Sequence, residues 1–499
     1  MKRVGILGAG IGSLVAAAYL SMHGYRVTIL EKATTVGGSA GYYFKDKRTF
    51  PTGATIAFGL EQDGLLKELL DELKIAVPCS VMDHPMDVVL SDRMVSIWLE
   101  QSKWEKELAR AFPEKKEQVL SFWSELATIG EDVYLFTKRK IAFPLRGYQL
   151  HSLIRFCFQH PLRTLRLGKN SLRTVYDLVK KHKLDRYPIF HEFLNAQLVD
   201  AAQTSIHKAA LLPSSLALDI YRRGSFSIPG GFATIVKRLE EKIKEKGEIL
   251  KKTEALHINY HKDTKWTVDT KKEMFTFDVL LNGIGKELKN GEEVSKRKET
   301  LETPTPGWGA LRVDAIVSSD IKKDIENRVG KVHLPFAFQI VPSRENAKLF
   351  GDEHGPVYVT LHPSRISSGE VVQEEVLLTA SVHTPVSKWI DLTKKEYILQ
   401  KELLEGAMYQ EIERVVPSFK KNVINTYTGT PKTYERYTGK TQVGGFPMTV
   451  LQSIVRPSGS KGTHPHYYVA GETVFPGPGT LSAALSGYFA AEAILRMEK

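Results

Sequence analysis

The stretch that most restricts this chain lies at its start. Val4 to Leu7 is a short apolar run, followed by Gly8-Ala9-Gly10-Ile11-Gly12-Ser13. Ser13 to His23 then has helical patterning, with alanines at 16, 17 and 18, and Gly24 stands where a helix-stopping glycine belongs. Arg26 to Leu30 is a second apolar run, and it ends at Glu31. Strand, glycine turn, helix and strand within about 30 residues make one βαβ unit. Glycines let a pyrophosphate approach backbone N–H groups, and the helix N-terminus supplies a favourable dipole. An acidic residue closing the second strand can accept from both ribose hydroxyls. The spacing therefore predicts dinucleotide binding through Gly8, Ala9, Gly10, Ile11, Gly12, Ser13 and Glu31. Ser13 replaces the third glycine of the usual pattern and is small enough to keep helix and strand packed.

A second motif follows at once: Glu31-Lys32-Ala33, then Val36-Gly37-Gly38-Ser39. A plain NAD-binding unit has no need of a glycine pair there. The pair resembles that of a large flavoprotein group, which includes amine oxidases and phytoene desaturases and lays it against the phosphates of FAD. That group commonly has an arginine after the pair, and this chain has Ser39, so one charged contact is missing. Lys32, Gly37, Gly38 and Ser39 join the expected cofactor residues. A third motif lies near the C-terminus, where Tyr468-Val469-Ala470-Gly471-Glu472 runs into a proline–glycine turn and then Thr480-Leu481. Here a strand would bring Gly471 near the ribityl phosphate and Glu472 near a ribityl hydroxyl. The helix opened by Thr480 and Leu481 would point at the pyrimidine side of the flavin.

Together the three motifs resemble the phytoene desaturase family of carotenoid desaturases, carotenoid isomerases and retinol saturases. Ser227-Ile228-Pro229-Gly230-Gly231 resembles its mid-chain segment. Gly429 to Gly439 and Gly444-Gly445-Phe446-Pro447 resemble the end of its substrate domain. The likeness is poor from about 85 to 225, and Glu472 stands where an aspartate is commoner. The resemblance implies FAD, a long polyene or isoprenoid substrate, and hydride transfer to flavin N5 with oxygen or a quinone as acceptor. Desaturation is the first reading; saturation and isomerisation remain open. Two other classes are weighed. One is an amine oxidase with Tyr434 and Tyr437 as an aromatic cage. The other is a prenyl-binding escort protein, against which the intact glycine motifs argue. No side chain stands out as a catalytic acid or base.

The expected fold class is α/β plus α+β. A Rossmann-like FAD-binding domain would be built from 1–80, 226–290 and 456–499. A mainly helical substrate- or membrane-facing region would occupy 81–225, and an antiparallel substrate sheet 291–455. Strand-like runs at Ala310–Val317, Phe336–Val341, Val357–Leu361 and Val376–His383 support the sheet. Helices are expected over Leu60–Leu73, Trp104–Ile129, Leu172–Lys183, Lys394–Val415 and Leu481–Met497. Thr393 and Glu396 form a capping box at the fourth of these.

The net charge is +12, yet no nucleic-acid module is present, so nucleic acid is not an expected partner. Ile141 to Lys169 mixes Phe143, Leu145, Leu150, Leu153, Ile154, Phe156 and Phe158 with Arg146, Arg155, Arg163, Arg166 and Lys169. It reads equally as a membrane-surface element or as a lid with a solvated basic face. Met1-Lys2-Arg3 and the apolar run after it superficially fit a secretory leader. The four glycines between Gly5 and Gly12 argue against one. No apolar run reaches the roughly 18 residues a membrane span needs. With only Cys79 and Cys157, a reducing cytoplasm is expected, with possible attachment to the inner face of the membrane. His464-Pro465-His466 is read as loop and not as a metal site.

Overall fold

The computed structural model describes residues 2–261, 265–285, 308–330, 333–351, 355–368, 371–462 and 464–497. The segment boundary expected at 290/291 lies outside them.

Strands from three distant parts of the chain form one parallel sheet. Its order is Tyr467–Val469, Val279–Asn282, Arg3–Leu7, Arg26–Glu31, Glu248–Lys251. Val4, Ile6, Val27, Ile29, Val279 and Leu281 are fully buried, because helices cover a parallel sheet on its faces. The helix Ile11–Met22 presents Ala16, Ala17 and Ala18, all buried, and these small side chains bring it close to its neighbours. Beside it pack the helix Phe232–Lys244 and the last helix, Thr480–Met497. At the crossing of the first and last helices, a Cβ on Gly487 would lie 2.0 Å from the Gly12 carbonyl oxygen. Only glycine permits that approach, so the two ends of the chain are locked together there.

A seven-stranded sheet forms the second layer. Its order is Val423–Gly429, Trp308–Ser318, Val371–Pro385, Val357–Ser368, Phe336–Ile340, Met86–Val89, Met94–Ile97. The four runs expected from sequence are its antiparallel centre. The hairpin of Met86–Val89 and Met94–Ile97 comes from the stretch expected to be mainly helical, and joins the edge in parallel with Phe336–Ile340. Each face has its own role, because side chains alternate along a strand. Val313, Ala315, Val359, Leu378 and Ala380 pack beneath Leu404, Met408 and Ile412 of the helix Lys394–Glu413. Arg312, Asp314, Tyr358, Ser381 and His383 face the opposite way, into a cavity.

Several helices are shorter than their apolar periodicity predicts. The expected helix over 60–73 is confined to Leu65–Glu72, because Gly59 and Gly64 close a tight turn before it. The expected helix over 104–129 is divided into Gln101–Ala111 and Lys116–Thr137, since Pro113 cannot donate the hydrogen bond that would carry the helix on. The capping box at Thr393 forms: its hydroxyl accepts from the Glu396 amide at 3.3 Å, and the Glu396 carboxylate accepts from the Thr393 amide at 2.8 Å.

Candidate functional site

Between the two sheets lies a continuous cavity of about 2020 Å³. Every residue expected at the cofactor lines it: Gly8, Ala9, Gly10, Ile11, Gly12, Ser13, Glu31, Lys32, Gly37, Gly38, Ser39, Gly471, Glu472, Thr480 and Leu481.

At one end, hydrogen bonds fix the glycine loop. The Gly8 amide donates to the Leu30 carbonyl at 2.8 Å, and the Gly37 amide donates to the Ala9 carbonyl at 2.7 Å. The two glycine loops therefore lie against each other, with Gly10 and Gly37 in a β-bridge. The Glu31 carboxylate accepts from the amides of Ala9 at 2.6 Å and Ala33 at 2.7 Å, which holds it at the cavity edge. The helix that starts at Ile11 has no side-chain cap, so its first-turn amides have no partner within the helix. Ser13 turns its hydroxyl toward Gly283, where a Cβ would sit 1.9 Å from it, so serine is tolerated because its neighbour is glycine. Lys32 pairs with Glu254 at 3.0 Å.

At the other end, the Gly471 amide donates to the Ser486 hydroxyl at 2.8 Å and the Ala470 amide to the Asn282 carbonyl at 3.0 Å. Glu472 pairs with Lys440 at 3.3 Å. These residues fit FAD on three counts. Cβ atoms built on Gly10 and Gly471 would meet open space, so a ligand can reach the backbone there. A carboxylate stands at the nucleoside end. Two helix N-termini, at Ile11 and Thr480, open on the same cavity.

Beyond the glycine loops, a buried network ties the cavity floor to the loop above it. The Arg312 guanidinium donates to Asp314 at 2.9 Å, to the Thr52 carbonyl at 2.8 Å and to the Pro51 carbonyl at 2.7 Å. The Tyr43 hydroxyl donates to Asp314 at 2.6 Å. Tyr434 adjoins Arg312, whereas Tyr437 is largely exposed, so the two tyrosines expected to form a cage have different surroundings.

Asp200, Tyr221 and Tyr358 are among the cavity residues that were not singled out in the sequence. Asp200 faces the cavity from the helix Pro188–Ala202, Tyr221 from the turn Ile220–Arg222, and Tyr358 from the sheet. Burial pushes the Asp200 carboxyl up to about 6. Burial also raises both phenols, and the Asp200 charge adds to each. No spacing marks these residues, because they come from separate elements and two of them lie where the family likeness is poor.

The basic segment forms two short helices, Leu150–Gln159 and Pro161–Asn170, whose apolar residues divide between two faces. Leu153, Phe156 and Leu167 line the cavity. Phe158, Leu162 and Leu165 are 83%, 75% and 71% exposed on the outside. Arg163 and Arg166 both bond Asp132, at 3.0 and 2.5 Å, and so latch the second helix to the long helix Lys116–Thr137. Among the described residues no group of three His, Cys, Asp or Glu could hold a metal, and the His464 ring packs against Trp266. Among them, too, no helix is long and apolar enough to cross a membrane.

Comparison with known proteins agrees with this arrangement. Residues 6–73 match a family model described as an NAD(P)-binding Rossmann-like domain. A chloroplastic prolycopene isomerase of Daucus carota is 24% identical over 98% of this chain and 79% of its own. A 4,4'-diapolycopen-4-al dehydrogenase of Metabacillus indicus is 22% identical over 96% of this chain and 94% of its own. Over nearly its whole length the chain is thus similar to carotenoid isomerases and dehydrogenases. The Rossmann-like match and the cofactor residues that line the cavity are those of an FAD-dependent oxidoreductase. A redesigned putrescine oxidase shares the fold, with a TM-score of 0.64 at 13% identity over 99% of both chains.

Proposed function

We propose that this protein desaturates a long apolar polyene, a carotenoid or other isoprenoid, with FAD as its redox partner and oxygen or a quinone as final acceptor. The observation that carries the reading is the single cavity, which joins the glycine loops to a chamber lined by Phe58, Phe143, Leu153, Phe156, Leu212 and Leu216. A polyene has almost no polar handle, so its binding rests on apolar burial, at about 25 cal/mol per Å². FAD, when bound, supplies a hydride acceptor. In this reading the amides of Gly10 to Ser13 face the pyrophosphate, Gly37, Gly38 and Ser39 lie along it, and Glu31 accepts from the adenosine ribose. Gly471 and the helix opened by Thr480 and Leu481 approach the flavin end, with Glu472 and its partner Lys440 beside them. The chamber orients the polyene and excludes water. Segments 1–80, 226–290 and 456–499 make the nucleotide-binding unit, and the remainder encloses substrate.

The outer face of 141–169 rests on an anionic membrane surface on the cytoplasmic side, where such a substrate resides. Phe158, Leu162 and Leu165 enter the interface, and Arg155 and Lys169 meet headgroups. Arg163 and Arg166 are engaged with Asp132 and contribute less.

Anaerobic incubation with candidate polyenes tests the reading. Bleaching of the flavin bands with a product two mass units lighter is the expected result. Peroxide release from a primary amine, with no change in lipid extracts, would overturn it. Isomerisation is the second reading, favoured by the prolycopene isomerase likeness over nearly the whole chain. It would give unchanged mass with altered retention.

A further inference from the structure

We propose that Asp200, Tyr221 and Tyr358 form a polar station within the apolar chamber, and that it recognises an oxygen function, a hydroxyl or carbonyl, carried by the polyene. The inference rests on the polyene reading and narrows its substrate class.

Three elements converge on this point: the end of the helix Pro188–Ala202, the turn Ile220–Arg222 and the strand Val357–Ser368. All three side chains line the cavity, among Ile56, Phe58, Leu212, Leu216 and Met448. Asp200 is solvent-accessible and lines that cavity, and the surrounding protein desolvates its carboxyl. Among the described residues its carboxylate has no hydrogen-bond or ion-pair partner, and burial alone perturbs it. Among the described residues the Tyr221 hydroxyl has the Met86 sulfur, at 3.8 Å, as its hydrogen-bond partner, a weak acceptor. The Tyr358 hydroxyl lies beside Thr55 and Thr360. The Asp200 charge acts on both phenols, and Tyr358 acts on Tyr221, so the three groups are near neighbours along the cavity wall.

Such a cluster is costly beneath a pure hydrocarbon. Filling the chamber with an alkene expels water from the Asp200 carboxylate and the Tyr221 phenol and gives nothing back, and buried polar groups left unpaired carry a full desolvation penalty. A hydroxyl reverses this, since its O–H donates to the Asp200 carboxylate while its oxygen accepts from a phenol. A carbonyl oxygen accepts from the phenols in the same place. Sites built to pair a substrate oxygen discriminate strongly against the analogue without it.

The test compares three ligands of equal carbon count on the FAD-loaded protein: a conjugated polyene hydrocarbon, its terminal alcohol and its terminal aldehyde. Binding is read from quenching of tryptophan fluorescence, with no turnover required. The alcohol or aldehyde is expected to bind at least about 10-fold more tightly than the hydrocarbon. Asp200→Leu should weaken the alcohol and strengthen the hydrocarbon, a gain that a damaged fold would not produce. Tyr358→Phe should reduce the preference on its own, which covers the case in which the leucine variant fails to fold. Equal binding of all three ligands, or a preference unmoved by either substitution, would overturn the station and leave the polyene reading standing. If no ligand binds the unaltered protein, the polyene reading fails and the station falls with it.

Discussion

The two sheets that enclose the cavity build their sites in opposite ways. The parallel sheet offers backbone: loops at its strand ends present amides, and few side chains take part beyond Glu31. The seven-stranded sheet offers side chains, with Arg312, Asp314 and Tyr358 on one face and aliphatic groups on the other. A backbone site writes itself as closely spaced glycines. A side-chain site is spread over residues that meet only in the folded state. The first therefore tolerates change at many side chains and little change at its glycines, and the second the reverse.

Substitutions can press on this contrast. The largest effect is expected at Arg312, in the side-chain layer. Arg312→Met leaves the buried Asp314 carboxylate without its cation and with the Tyr43 hydroxyl still donating to it, which should cost about 3–5 kcal/mol in denaturant unfolding. Next is Gly487→Val in the backbone layer. A branched side chain on the Gly12 carbonyl should cost about 3 kcal/mol through overpacking and abolish flavin retention on purification. Glu31→Gln should leave the fold intact yet weaken FAD about 10- to 100-fold in a fluorescence titration, because a charged acceptor becomes neutral. Should it bind FAD normally, the carboxylate has no part in the nucleotide site. Phe158→Asp with Leu165→Asp, on the outer face of the helices Leu150–Gln159 and Pro161–Asn170, should reduce flotation with anionic vesicles several-fold and leave FAD affinity unchanged.

The smallest effect concerns pH. Burial holds the Asp200 carboxyl near 6, above the ordinary aspartate range. Its contribution to stability is complete below that ordinary range and is lost as the pH rises through about 6. Asp200→Asn stays neutral throughout. Its Tm should match that of the unaltered protein near about pH 4 and exceed it by about a few degrees near about pH 8. A gain that is constant across this range would place the cause elsewhere.

What could be read in the sequence follows the same division. Glu31 and the glycine loops were legible because their spacing is local and the chemistry of a pyrophosphate demands it. The capping box at Thr393 was legible for the same reason, since cap and partner stand three residues apart. The four central strands of the larger sheet showed as apolar runs. The edge hairpin at Met86–Val89 and Met94–Ile97 did not, because four-residue strands carry too little periodicity to stand out from the helices that follow. Ser13 was judged by its size, but the space it fills is provided by Gly283, some 270 residues away. Asp200 was invisible for a deeper reason: a lone carboxylate near the end of a helix is ordinary on a surface, and only tertiary packing turns it inward.

The crossing of the first and last helices at Gly12 and Gly487 also bears on how the molecule is made. The glycine loop leaves the ribosome long before the strand Tyr467–Val469 and the helix that fixes it. The parallel sheet cannot close until synthesis has passed Tyr467–Val469. Cofactor capture thus waits for the helix Thr480–Met497, and a ribosome stalled before it would release a product with its nucleotide loop formed in sequence but not in space.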